Sequence, residues 1–275
     1  MKHQMLWAGI LACLLSFSNA YAQKPAISNE VISDMMNSIP SPLEISFLIK
    51  DLEIKYNRSL LMPIRTAANL KTDIQKPLYM GIYSTNLGYT NIYQQKEDAL
   101  AYTQASYNMA EALQVGKFFD KQGIEKLVSN NSNGLDDLLT LTSRSLNNIN
   151  THLTEKDRPD LTVLILVGGW VESLYLTCAI TKQYPNELLK NRIGEQKIIL
   201  EQLLLLLSFY EDGNKEIKAL IEQLNKLNKA YETVKITYTN NGMQQSPTSE
   251  IMISEADLKV ILAEVNVLRQ FIINQ

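Results

Sequence analysis

Residues 161–181, LTVLILVGGWVESLYLTCAIT, form an almost unbroken apolar run with two adjacent glycines and one carboxylate, Glu172, near its middle. A run of this kind has three fates: it spans a membrane, it is enclosed by other helices, or it walls a site that needs a buried acid. Its length meets the minimum for a span, and Lys182, Lys190, Arg192 and Lys197 behind it satisfy the positive-inside pattern. Against a span, Glu172 would lie at mid-bilayer, where a carboxylate costs about 3 kcal/mol or more. Thr162, Ser173, Thr177 and Thr181 add polar atoms. The neighbouring segments are amphipathic and need an apolar partner to cover. The spacing therefore predicts an all-α multi-helix bundle in which 158–183 is the buried central helix.

Helical periodicity dominates the rest of the chain, and turn residues cut it into segments. Helices are expected near 28–38, from SIPSPLE to about Lys55, 59–72, 77–94, 96–116 with Gly116 as a stop, a short one before SNNSNG, and 134–153. In SIPSPLE, Ser41, Pro42 and Glu44 compose a capping box with proline in the first turn. Asp157 and Pro159 launch the central helix, two helices follow on either side of Asp212-Gly213-Asn214, and Ser254 caps a last one over 254–274. That helix packs through Leu258, Ile261, Leu262, Val265 and Leu268. Only VKITYT, 234–239, alternates like a strand, and alone it is too short for a sheet. Residues 239–250 read as a flexible loop. Everything from 23 to 275 is expected to form one domain.

Gly169, Ser173, Thr177 and Thr181 fall four residues apart on one helical stripe, and Gly81, Ser84, Thr85 and Gly88 form a second. Small residues at that spacing let helices approach closely. A helix-interior glycine costs about 1 kcal/mol against alanine, so a compensating contact between 77–94 and 161–181 is expected. Around these stripes stand the candidate ligand-binding residues Tyr83, Asn86, Tyr89, Tyr93, Trp170, Glu172 and Tyr175, with Tyr79 beside them. A carboxylate among hydroxyls and an amide is either a satisfied structural group or one wall of a pocket for a small polar or amine-bearing ligand. Buried without a basic neighbour, such an acid would resist ionisation.

The N-terminus has the pattern of a secretory leader. Lys2 and His3 precede the apolar LWAGILACLLSF, and Ala20 and Ala22 occupy the small-residue positions of a cleavage site. The expectation is a signal peptide over 1–22 and export to the periplasm after cleavage at Ala22. The rival is a lipoprotein tethered to the membrane through Cys13, against which the bulky Leu11 counts. Cleavage leaves Cys178 as the one cysteine, hence no intramolecular disulfide, and 25 of the 26 basic residues against 29 acidic ones. No basic block offers a footprint for nucleic acid or anionic lipid.

The leaderless chain has one histidine, His152, and one cysteine. That excludes His/Cys zinc sites and disfavours triad catalysis; no metal, no cofactor and no catalytic residue is expected. His152 sits at a helix end and Cys178 reads as a small buried hydrophobe. VGGW lacks the Lys-Ser/Thr of a phosphate loop. Carboxylate-only hydrolysis stays open, although Asp136-Asp137 and Glu211-Asp212 look like solvated helix ends.

SIPSPLEISFLIK, LYMGIYSTNLGYTNIYQQ and TVLILVGGWVESLYLT together resemble the signature stretches of a family of exported, all-helical bacterial envelope proteins, many of them predicted lipoproteins. The resemblance spans roughly 35–200 and implies fold and compartment, with no activity attached. In that family an Asp commonly stands where this chain has Asn86, so a functional acid pair with Glu172 would be missing here. The expected function is a non-catalytic binding or interaction protein of the cell envelope, its partner either a small polar ligand or another envelope protein. The alternative is a structural or assembly component using outer faces such as 199–210 or 254–274.

Overall fold

A helix with no polar face cannot rest on a protein surface, so the fold is organised by what encloses the apolar run. A computed structural model describes residues 29–39, 43–129, 135–239 and 248–274. The expected leader (1–22), the expected cap residues Ser41 and Pro42, and most of the expected loop (240–247) lie outside them. The described chain carries ten α-helices: α1 Asn29–Asn37, α2 Leu43–Asp51, α3 Gln75–Ile92, α4 Lys96–Ala112, α5 Lys121–Ser129, α6 Leu135–Glu155, α7 Pro159–Gln183, α8 Glu187–Ser208, α9 Lys215–Ala230 and α10 Glu255–Asn274. One antiparallel hairpin, β1 Lys235–Thr239 with β2 Thr248–Met252, completes it.

α7 is the central helix that the sequence predicts. It is long and apolar enough to cross a membrane, yet 83% of its most apolar window is buried inside the fold. α3 covers it most extensively, and α8, α10, α6, α2 and α1 also pack on it. Pro159 occupies the first turn, where its missing N–H is no loss. The cap position falls on Arg158, and Asp157 instead takes a left-handed turn at φ 54°.

α3 is the second interior helix, buried along nearly its whole length. It meets α7 through the glycine notches. A Cβ on Gly81 would lie 1.9 Å from the Ile165 carbonyl oxygen and 2.6 Å from the Gly169 nitrogen; one on Gly168 would lie 2.1 Å from the Leu78 carbonyl oxygen. Thr85 donates to the Gly169 carbonyl at 3.2 Å. On α7, Thr177 and Thr181 donate to the carbonyls of Ser173 and Thr177, so these hydroxyls are satisfied within their own helix.

Three further expectations need correction. Residues 59–72 are not a helix; between α2 and α3 the chain runs as an irregular strap with two single 3-10 turns, Arg58–Leu60 and Ala67–Asn69. α4 stops at Ala112, where Gln114 turns left-handed at φ 63°, and Gly116 opens a separate 3-10 turn. The stretch 234–239 does find a partner: its strand pairs Lys235 with Met252 through Thr239 with Thr248, so both ends of the expected loop are strand. The hairpin sits on α8, where Gly194 leaves room for Ile251. The leucine run of α8 is core at Leu203, Leu206 and Leu207, while Leu205 is 50% exposed on the outer side of the helix. Cys178 is 3% exposed, and burial raises its thiol pKa.

Because the Gly81 and Gly168 contacts are with backbone, which cannot step aside, Gly81→Ala and Gly168→Ala should each destabilise by about 3 kcal/mol, the upper end for overpacking. Urea unfolding monitored by circular dichroism measures this. A thiol reagent should label Cys178 only at the rate of unfolding, read by mass spectrometry.

Candidate functional site

Glu172 is fully buried on α7, and two other elements neutralise it. From α10, Arg269 donates through Nε to Oε2 at 2.7 Å and through Nη2 to Oε1 at 3.0 Å. From α3, the Asn86 amide donates to Oε1 at 2.9 Å and also reaches the Ile82 carbonyl of its own helix. Arg269 is itself only 6% exposed. Its guanidinium lies 3.9 Å from the ring centre of Tyr175, and Nη2 donates a further bond, 3.2 Å long, to the Leu60 carbonyl of the strap. Burial pulls the guanidinium pKa down, but the hydrogen bonds and charge of Glu172 more than offset this and hold it above its usual value. The planar fork against a carboxylate is the geometry in which a buried pair retains most of its attraction.

The tyrosines do something else. Their hydroxyls reach the strap's backbone rather than the acid. Tyr93 donates to Ile54, Tyr102 to Met62 at 2.6 Å, and Tyr83 accepts from the Arg65 N–H at 2.7 Å while facing the Pro63 carbonyl. Tyr89 accepts from the Asn57 N–H at 3.2 Å. The rings of Tyr56, Tyr89 and Tyr93 pack with centres 5.0–5.6 Å apart. Tyr56 donates to Asp98 at 2.7 Å, and Arg58 pairs with the other Asp98 oxygen. Burial first, then that bond to Asp98, raises the Tyr56 pKa; burial likewise raises those of Tyr83, Tyr93 and Tyr102. An extended segment lying over a bundle has backbone groups with no ladder to join, and these hydroxyls supply the missing partners.

Of the seven candidates, the structure unites Asn86, Glu172 and Tyr175 around Arg269. It sends Tyr83, Tyr89 and Tyr93 to the strap. Trp170 points elsewhere, to α8, where its indole N–H donates to Gln196 at 2.9 Å. Arg269 is the residue that sequence reasoning missed, though a signal was present: it extends the buried stripe Ile261, Val265, Leu268 and Ile272, where a charge requires a partner. Gln75 was missed too; its amide caps the last turn of α10 by donating to the Ile272 carbonyl at 2.9 Å and accepts from Lys71 N–H.

Two buried atoms beside the pair, the Tyr79 hydroxyl and Asn86 Oδ1, have no partner among the described residues. His152 packs on the Phe118 ring at 4.2 Å between centres. Among the described residues no three His, Cys, Asp or Glu side chains gather as a metal site. Chemically the arrangement holds a charge still: Arg269 of α10, which also bonds the strap, and Asn86 of α3, which also bonds its own helix, both donate to Glu172.

Removing Arg269 strands a buried carboxylate, so Arg269→Met should cost about 4 kcal/mol, whereas Glu172→Leu combined with Arg269→Met should recover most of it. Chemical denaturation of the three proteins tests this. Asn86→Asp would set a second acid against Glu172; the new group's pKa is raised in the folded state. Its destabilisation should therefore be absent below about pH 3.9 and grow as pH rises above it, as thermal midpoints from pH 3 to 8 would show. Tyr102→Phe orphans the Met62 carbonyl and should cost about 1–2 kcal/mol, with faster amide exchange confined to 54–66. No family model, no curated protein and no solved structure matches the chain.

Proposed function

We propose that the chain is an exported, non-catalytic interaction protein of the bacterial cell envelope, freed from its leader at Ala22 and acting through its outer faces. The observation that carries this reading is the internal commitment of Glu172: Arg269 and Asn86 occupy it, so the one deeply buried acid of the central helix is spent on holding three helices together. The hydroxyls of Tyr83, Tyr89, Tyr93 and Tyr102 are engaged in the same way by the strap. Export is supported by the leader pattern of residues 1–22 and by the family resemblance, which points to the same compartment; lipid attachment at Cys13 is the alternative route to it.

A second reading, a small polar ligand held beside Glu172, is favoured by the unpartnered Tyr79 hydroxyl and Asn86 Oδ1, which are the kind of atoms a bound molecule satisfies.

Native mass spectrometry of protein taken from its own envelope fraction separates them. The expected spectrum shows a polypeptide beginning at Gln23, free of small molecules, with a stoichiometric protein subunit attached. A retained small molecule that is lost on Asn86→Leu substitution would replace this reading with the second.

A further inference from the structure

α10 buries one stripe and leaves the opposite one almost free of charge. Val260 and Val267 are each 50% exposed, and Ala256, Ala263, Gln270 and Asn274 are exposed with them. Their spacing, four then three residues repeatedly over 256–274, is that of a heptad seam, with Val260, Val267 and Asn274 at one core position and Ala256, Ala263 and Gln270 at the other. The outer faces of α6 and α9 differ: Asp136, Asp137, Arg144 and Glu155 are exposed on the first, and Lys218, Glu222, Lys226 and Lys229 on the second.

We infer that this face binds a second copy of the same chain, α10 against α10 in parallel about a two-fold axis. The charges flanking the seam select the partner. Lys259 is exposed and Glu264 partly so, and neither forms an ion pair among the described residues. Lying five residues apart on one helix, they cannot meet each other. In a parallel two-stranded pairing Lys259 of one copy faces Glu264 of the other, twice by symmetry, because that five-residue offset links the two flanks of the seam. An antiparallel pairing sets like flanks together and loses both contacts. A two-fold interface uses one patch on both partners, so a single helix face suffices. The inference rests on the reading above only in naming one partner; a chain that stays monomeric would remove the second copy while leaving recovery of a different envelope subunit to decide the wider reading.

Sedimentation velocity on the purified full chain, from micromolar to near-millimolar concentration, should show a monomer–dimer equilibrium. Val260→Lys with Val267→Lys should weaken it at least about tenfold, with the circular dichroism spectrum unchanged because both sites are half exposed. Lys259→Glu should weaken it about fivefold, and adding Glu264→Lys should restore it. Because Cys178 is buried, Ala263→Cys in the chain beginning at Gln23 should form a disulfide-linked dimer under mild oxidation. A monomer at every concentration, a dimer indifferent to these changes, or a dimer that Ala263→Cys fails to cross-link would overturn the proposal.

Discussion

Everything in this fold follows from two backbones touching. Gly81 and Gly168 let α3 and α7 approach until main-chain atoms meet where side chains would normally stand. At that separation Asn86 falls within hydrogen-bonding reach of Glu172, and Thr85 reaches the Gly169 carbonyl. Packing of this kind is intolerant because interiors are filled to crystal-like density and backbone has no rotamer to change. Two helices buried along nearly their whole length are thereby locked together, and the remaining helices are laid around them.

The ion pair then decides which helix closes the core. Burying a carboxylate is costly unless its oxygens are met by donors, and a buried pair is weak evidence for extra stability compared with apolar packing. What Glu172 contributes is selectivity. Among the residues of the α10 stripe only Arg269 can answer it, so α10 must dock in one register, and Leu60 of the strap adds an acceptor that fixes the guanidinium further. The side chains of Arg65 and Gln75 bond the carbonyls of Ile273 and Ile272, so strap, α3 and the end of α10 are tied at one point.

Much of the architecture was readable because it depends on local periodicity. The central helix and the buried face of α10 repeat at helical spacing, the notches fall at the expected Gly81 and Gly169 and also at Gly168, and Ser254 caps α10 as expected, with Asp257 reciprocating. Elements decided by distant partners were not readable. Residues 59–72 have helical spacing, yet their backbone groups are claimed by tyrosines of α3 and α4, and a hydroxyl seeking a carbonyl leaves no trace in the residue order. VKITYT needed a partner beyond a turn-rich stretch. Of the candidate residues, Glu172, Asn86 and Tyr175 lie together around Arg269, whereas Trp170, two positions along the helix, turns toward α8. Arg269 escaped because the stripe was read for apolar residues and stopped at Leu268.

Glu172 and its arginine are separated by 97 residues, and the strap contacts of α10 span more than 200. Loop closure over such distances slows folding. A polypeptide emerging N-terminus first therefore holds an unanswered charge in α7 until the 97 residues that lead to Arg269 have followed it. Premature collapse around α7 is penalised, and the core closes only when α10 arrives to answer the charge.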